Sequence, residues 1–546
     1  MGNGKSRRKF LETASKSLGL VGISPVLSNF IVQTLSSQVL AAGVTNTSGT
    51  DKNYIFFALP GGPPRWFFDL PLTPNGTAAK YTDAFSHKGV GTFVGMQAAG
   101  DPQAIYKPWY DTVSKYWLPP VWGSNPAGGS FKNCLASAAF IRGVDFEINN
   151  HDLGRLRNQS PIIGGLSIAG LLAEKTSTAF PAAASGSISN AFKATKPISP
   201  VSLTYNVSAT VNPISTVMRY FSGRAPVENL AVDQALSEFD KYADKNNFIQ
   251  KSLTESKERS DALVTQGVKT FTDKWQPVYD RYLLKVKEAM SLNNTESFMD
   301  TKPITPPKML ANGNPDLRTR RADGTFMGDL SDYRKMVNDE TTVANLAATY
   351  ATVEILITMG LTQVVTADLG DLRNLVMNEA GGKFSLQMDQ HFIGTLVSTI
   401  GTTFLYRAII NCTEELVLAL KEKGLFDKTV IQFGAEFNRT AKADGSGSDH
   451  GFKGSSVLLI SGMIKKTIVL GNIKDDPTSA YKGTWGMAAP HPLVGNNYPL
   501  RLNDVCKTVC GMLGLKNVSN NGEYILKNNG SQWEAFSGAA GEAKNV

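Results

Sequence analysis

The sequence predicts an α/β protein built on a buried, mostly parallel sheet, and three observations predict it. Tyr54-Ile55-Phe56-Phe57-Ala58-Leu59 is a short apolar run with no polar alternation, the pattern of a strand covered on both faces. Two further short runs are Gln363-Val364-Val365-Thr366-Ala367, a short buried strand that stops at Asp368-Leu369-Gly370, and the β-rich residues 429–433, which stop at Gly434-Ala435. Helical stretches stand between them: residues 342–360 carry few charges, and residues 398–423 place Leu and Ile on one side and Glu and Lys on the other. Gly424 is a natural C-terminal cap for the second of these helices.

Taken in order, the chain opens with an address. Ser6-Arg7-Arg8-Lys9-Phe10-Leu11, a mildly apolar segment from Leu18 to about Val39, and the small residues Ala41-Ala42 have the form of a twin-arginine export signal. Residues 1–42 are therefore expected to be removed after engagement with the twin-arginine export machinery, leaving a periplasmic or secreted protein. Ser24, Pro25, Ser28, Asn29 and Gln33 interrupt the ~20 apolar residues that a membrane span requires. Beyond this segment no stretch reads as membrane-spanning. The net charge of +8 comes without any later Lys/Arg run interleaved with aromatics, so nucleic acid is not an expected partner. Cys134, Cys412, Cys506 and Cys510 form no Cys-x-x-Cys and no zinc-spaced Cys/His cluster, so buried free thiols are expected.

The first strand ends in Pro60-Gly61-Gly62-Pro63-Pro64, a strong turn signal. Asp69 is the one carboxylate near it, and no Ser, Thr or Cys lies between Leu59 and Asp69. Residues 135–144 read as a helix end running into a strand, followed by the loop Asn149-Asn150-His151-Asp152. His151 is either a ligand or substrate contact, or an ordinary hydrogen-bonded surface histidine. Residues 227–292 carry helical spacings, Leu230, Val232, Leu236, Phe239 and Tyr242, then Val278, Tyr279, Tyr282, Leu283 and Val286, and read as amphipathic helices of a cap. Pro277 suits a first helical turn or a kink. The organisation expected is an α/β domain from 50–175 and 336–546, interrupted by a largely helical insertion at 176–335. A last helix is expected over 505–513, capped by Leu502-Asn503-Asp504 and closed by Gly514.

Polar residues gather where the later strands stop: Asp368, Asp389 with His391, Glu436, and Asp449 with His450. Carboxylates and imidazoles are ligands for Zn²⁺, Mg²⁺ or Mn²⁺, and Asp389-x-His391 would present both side chains to one side of an extended segment. Each carboxylate, taken alone, also fits a cap or turn former.

The order of these motifs resembles the bacterial family called domain of unknown function 1501, related to the alkaline phosphatase/sulfatase superfamily. The resemblance rests on Gly61-Gly62 after the first strand and on the unit from Met359-Gly360 to Leu369-Gly370. It rests further on Met388-Asp389-Gln390-His391 in place of W-D-T-H, and on Ala435-Glu436-Phe437-Asn438-Arg439-Thr440 with Asp449-His450-Gly451 in place of S-E-F-G-R-T with D-H-G. It implies an alkaline phosphatase-like sandwich with a metal site at the carboxyl edge of the sheet. Asp389, His391, Glu436 and His450 would hold a divalent ion (Zn, Mg, Mn or Ca), and the substrate would be an anionic phosphate or sulfate ester. Arg439 would either stabilise that anion or steady the loop through a salt bridge. The chain departs from the family pattern at Pro63-Pro64, where Ala-Asp is usual, which displaces the acidic partner to Asp69. Met388, Gln390 and Asn438 are further departures, and residues 371–387 stand as an insertion. Two readings follow: a metal-dependent ester hydrolase, or a non-catalytic envelope protein that keeps the fold with a degenerate site.

Overall fold

The computed structural model describes residues 50–74, 109–203, 268–290, 340–369, 375–389, 395–441, 448–476 and 485–546, a few short stretches within these ranges excepted. The expected signal segment, residues 204–267 and 291–335 of the expected insertion, residues 336–339, and His391 lie outside the described residues.

A mixed α/β fold with a largely parallel central sheet is what forms. Its strands are β1 (Asn53–Leu59), β2 (Ala138–Asp145), β3 (Ala183–Ser185), β4 (Val201–Leu203), β5 (Val364–Asp368), β6 (Thr429–Ala435), β7 (Ser455–Ser461), β8 (Ile468–Leu470) and β9 (Leu500–Arg501). They lie in the order β8-β2-β7-β6-β1-β5-β3-β4, with β9 also paired to β2. Only β7 runs against its neighbours β6 and β2. The other pairings, β1 with β6 and β5, β5 with β3, β3 with β4, and β2 with β8 and β9, are parallel.

The unbroken apolar run of β1 now has its cause. Every residue from Asn53 to Leu59 is buried, because helices cover both faces of the sheet. Ile55, Phe57 and Leu59 pack with α4 (Glu340–Thr358) and α5 (Thr395–Glu422), while Tyr54, Phe56 and Ala58 pack with α2 (Ile168–Ala173) and α6 (Leu502–Met512). Each large apolar side chain buried this way contributes about 1.5–3 kcal/mol. On this face the buried Tyr54 hydroxyl donates to Gln432 Oε1 at 2.9 Å. All four cysteines are buried and free.

Several sequence expectations change. Strands β3 and β4 fall inside the range read as an insertion, yet they extend the central sheet beside β5. Helix α3 (Val268–Met290) likewise packs its Trp275, Tyr282, Val286 and Ala289 into the core formed by α4 and α5. Tyr282 and Arg281 both donate to the Glu354 carboxylate of α4. Pro277 lies within α3, not at its start. Helix α6 begins at Leu502, and Asp504 sits inside its first turn, where Oδ2 accepts from Arg501 N at 2.8 Å. The segment 371–387 contains an antiparallel pair, Leu375–Glu379 with Gly382–Leu386. Among the described residues no helix is long and apolar enough to cross a membrane.

Candidate metal centre

Parallel strands deliver their carboxyl ends to one edge, where the connecting turns can gather polar groups. Strand β2 exits through Phe146 to Asn150, and the Asn150 side chain accepts from Leu153 N at 3.0 Å, starting helix α1 (His151–Arg157). This cap fixes His151 as the first helical residue. Helix α1 then lies against the end of β6. A Cβ at Gly154 would stand 2.5 Å from the Glu436 carbonyl oxygen, so only glycine allows this approach. Asn158 Nδ2 closes the contact, donating to Gly154 O at 3.1 Å and to Ala435 O at 2.7 Å. Gly154→Ala is therefore expected to cost about 1–3 kcal/mol, the range for overpacking a filled contact. Urea unfolding measures it, and a wild-type midpoint would show that α1 is free to move away.

After Glu436 the chain forms a two-stranded ribbon, Asn438–Ala441 paired with Ser448–Gly451, in which Arg439 stands opposite His450. Gly61 and Gly62 both have positive φ, and a Cβ on Gly62 would strike the Phe437 ring at 2.6 Å. Their carbonyls point at Arg439, whose Nε donates to Gly62 O at 2.7 Å and whose Nη2 donates to Gly61 O. Pro63 and Pro64 have no N–H to offer. The first donor after them, Arg65 N, reaches Asn438 Oδ1 at 2.9 Å, which also accepts from Arg439 N at 2.8 Å. Asn438 thus ties the first-strand turn to the ribbon, a link that glycine at this position could not make.

His151 is the centre of the resulting cluster. Its Nδ1 is hydrogen-bonded to Glu436 Oε2, and its Nε2 lies 3.3 Å from Asp389 Oδ2. Glu436 Oε1 accepts from Arg155 Nε at 2.8 Å, and Asp389 Oδ1 accepts from Arg439 Nη2. His450 packs edge-on to His151 with ring centroids 4.7 Å apart, rests on Phe437, and bonds Asn149 Oδ1 through Nδ1. The hydrogen bonds to Asp389 and Glu436 push the His151 imidazole up to about 9. Burial pushes the Asp389 carboxyl upward, but bonds from His151 and Arg439 outweigh it and hold the group well below the usual carboxylate range. Burial lowers Arg439 from the ordinary guanidinium value.

Of the residues singled out from the sequence, Asp389, Glu436, Arg439 and His450 do converge. Glu436 stands behind His151, with both oxygens engaged, and is not part of the open ligand group. Arg439 is 1% exposed, and its Nε and Nη2 serve the turn carbonyls and Asp389. Asp69 is a correction. Arg65 donates to both its carboxylate oxygens and Ser456 Oγ donates to Oδ1 at 2.6 Å, with the Arg65 and Asp69 side chains 0% exposed. It is a closed internal ion pair, not the missing acidic partner of the site. His151 is the residue that sequence reasoning left undecided. Its available signal was the Asn-Asn-His-Asp cap following an apolar strand.

Residues 407–491 match a family model described as a protein of unknown function, DUF1501. No curated protein and no solved structure matches the chain.

Among the described residues, His151, Asp389 and His450 form one group whose ligand atoms all lie within 4.8 Å of one another. Two donors held about 2.0–2.1 Å from a tetrahedral ion are roughly 3.3 Å apart, and the His151 Nε2 to Asp389 Oδ2 separation is 3.3 Å. Two imidazoles and one carboxylate suit a borderline transition ion better than Mg²⁺ or Ca²⁺, which prefer all-oxygen sites. The residues fit an ion of that class.

Proposed function

We propose that this chain is an exported, alkaline phosphatase-like hydrolase that uses one divalent transition ion to cleave a phosphate or sulfate ester. The observation that carries the reading is the convergence of His151, Asp389 and His450, from three separate parts of the chain, at the carboxyl edge of the sheet. These three residues would hold the ion, with His391 a further candidate. A bound divalent ion would polarise an ester oxygen and lower the pKa of a water molecule. Arg439 keeps Asp389 turned toward the site, and Arg155, a quarter exposed, supplies positive charge beside Glu436. No Ser, Thr or Cys stands at the first-strand turn, so a water molecule held by the ion would be the attacking group. The substrate is expected to be anionic and small.

Metal analysis of the protein purified from the periplasm tests this reading. About one zinc- or manganese-class ion per chain is expected, and His151→Ala should lose it. A metal-free wild type, or an unchanged metal content in the variant, would remove the hydrolase reading. A panel of phosphate and sulfate esters then separates the two reactions, and an alcohol acceptor should receive no phosphoryl group if water attacks directly. We also assign residues 1–42 to twin-arginine export. Arg7→Lys with Arg8→Lys should leave unprocessed precursor in the cytoplasm, and normal processing would refute the assignment.

One observation favours the second reading, a non-catalytic envelope protein. The carboxylates of Asp389 and Glu436 are already neutralised by His151, Arg155 and Arg439, so the cluster can stand as a structural ion network. A metal-free protein whose stability falls in His151→Ala would support it.

A further inference from the structure

Each of the three candidate ligands has its far side held by a partner. Asp389 Oδ1 is taken by Arg439, leaving Oδ2 toward His151. His151 Nδ1 is taken by Glu436, and His450 Nδ1 is taken by Asn149 Oδ1. An ionised carboxylate only accepts, so Glu436 and Asp389 each call for a proton on the nitrogen they face; when an ion replaces the proton at Nε2, the one left on the neutral His151 sits on Nδ1, against Glu436. The lone pair is then on Nε2, the nitrogen that faces Asp389. Asn149 Oδ1 imposes the same choice on His450. We infer that Glu436 and Asn149 are positioning residues that fix both imidazoles as Nδ1–H tautomers, so that any ion is gripped by His151 Nε2, His450 Nε2 and Asp389, with Glu436 outside its coordination sphere. The inference rests on the metal-site reading above and refines it.

Glu436 is suited to this role by its own surroundings. It is 2% exposed at the end of β6, and Arg155 Nε holds its Oε1 at 2.8 Å while its Oε2 meets His151. Each of its oxygens is therefore already engaged, one by an arginine and one by the imidazole. Arg155 in turn donates to Asp152 Oδ1 at 2.8 Å on the solvent side of α1. The result is a chain from surface carboxylate to arginine, buried carboxylate and imidazole. Outer partners of this kind orient the imidazole and raise its basicity, and their loss weakens metal binding about 10–100-fold.

Cobalt titration of the full mature chain, followed by the visible d–d spectrum, tests the assignment on wild type, Glu436→Gln, Glu436→Ala and Asn149→Ala. Glu436→Ala and Asn149→Ala are each expected to bind one cobalt about 10–100-fold more weakly, with the band position of the wild type. Glu436→Gln, which keeps an acceptor for Nδ1–H, should recover most of the loss. A displaced band or an altered coordination number in Glu436→Gln would make Glu436 a ligand and overturn the inference. Unchanged affinity in both alanine variants would overturn it equally. Asn149 is exposed, so its variant reports even where a Glu436 variant folds poorly, and thermal unfolding of the cobalt-free proteins identifies that case. Should the wild type bind no cobalt, the metal-site reading itself fails, an outcome distinct from the other two.

Discussion

Asp69→Ala is expected to destabilise the fold by about 3–5 kcal/mol, the range found when one member of a buried ion pair is removed. The Arg65 and Asp69 side chains are 0% exposed, so the abandoned guanidinium would have no water to turn to. Arg65 Nε and Nη2 both donate to Asp69, and Ser456 Oγ would lose its acceptor as well. Arg65 is also the residue whose backbone ties the Pro63-Pro64 turn to Asn438, so strain there reaches Gly61, Gly62 and the bond from Arg439. Replacing both members with apolar residues, Arg65→Met with Asp69→Leu, should cost much less than either single change, because no charge is then stranded. Guanidinium unfolding with an unchanged m-value measures both. Asp69→Asn should bind cobalt like wild type wherever it remains folded. A fully stable Asp69→Asn that nonetheless loses metal or activity would return Asp69 to the chemistry, against its closed geometry.

The parts of the fold legible in the sequence are those whose burial leaves a pattern. Strand β1 carries an unbroken apolar run because helices cover both faces, β5 and β6 are short runs rich in β-branched residues and buried for most of their length, and α5 announces its end with Gly424, whose φ is positive. Strands β3 and β4 left no such pattern. Each is three residues long, Ala-Ala-Ser and Val-Ser-Leu, and backbone pairing to β5 decides their state. Likewise, Asp389, Glu436, Arg439 and His450 were legible as polar groups at strand ends, but their roles were not. Roles depend on which partner stands behind each atom, and those partners are distant in sequence. That His151 meets Glu436 depends on Gly154 permitting α1 to touch β6, a contact no local pattern records. Asp69 shows the reverse error. Arg65 and Asp69 are four residues apart with opposite charge, a spacing that favours pairing on one helical turn, and that local signal outweighed its nearness to the first-strand turn.

The ion-free protein is expected to lose stability between pH 6.5 and 9, and to bind metal more tightly over that same interval. His151 is held at about 9 by its bonds to Asp389 and Glu436, against an ordinary value of about 6.5 in the unfolded chain. Below pH 6.5 both states carry the proton, and the imidazolium's bonds to the two carboxylates are fully present. As pH rises the unfolded chain gives up its proton first, so the folded state's advantage shrinks and is gone once pH passes about 9. Asp389 works in the opposite direction. Its folded value is depressed, so its contribution is present above about pH 4 and is lost as acid protonates it. The cluster's combined contribution is therefore largest from about pH 4 to 6.5. A metal ion takes Nε2 only from neutral imidazole, so binding at pH 7 must expel about one proton, and affinity should rise about tenfold per pH unit up to about 9 and then level off. Calorimetry in buffers of different ionisation heat counts the proton, and thermal unfolding at pH 6 and pH 9, with and without cobalt, measures the opposing slopes. His151→Gln should flatten both. A metal affinity independent of pH across this interval would take His151 out of the ligand set and leave the cluster as an ion network that holds α1 to the edge of the sheet.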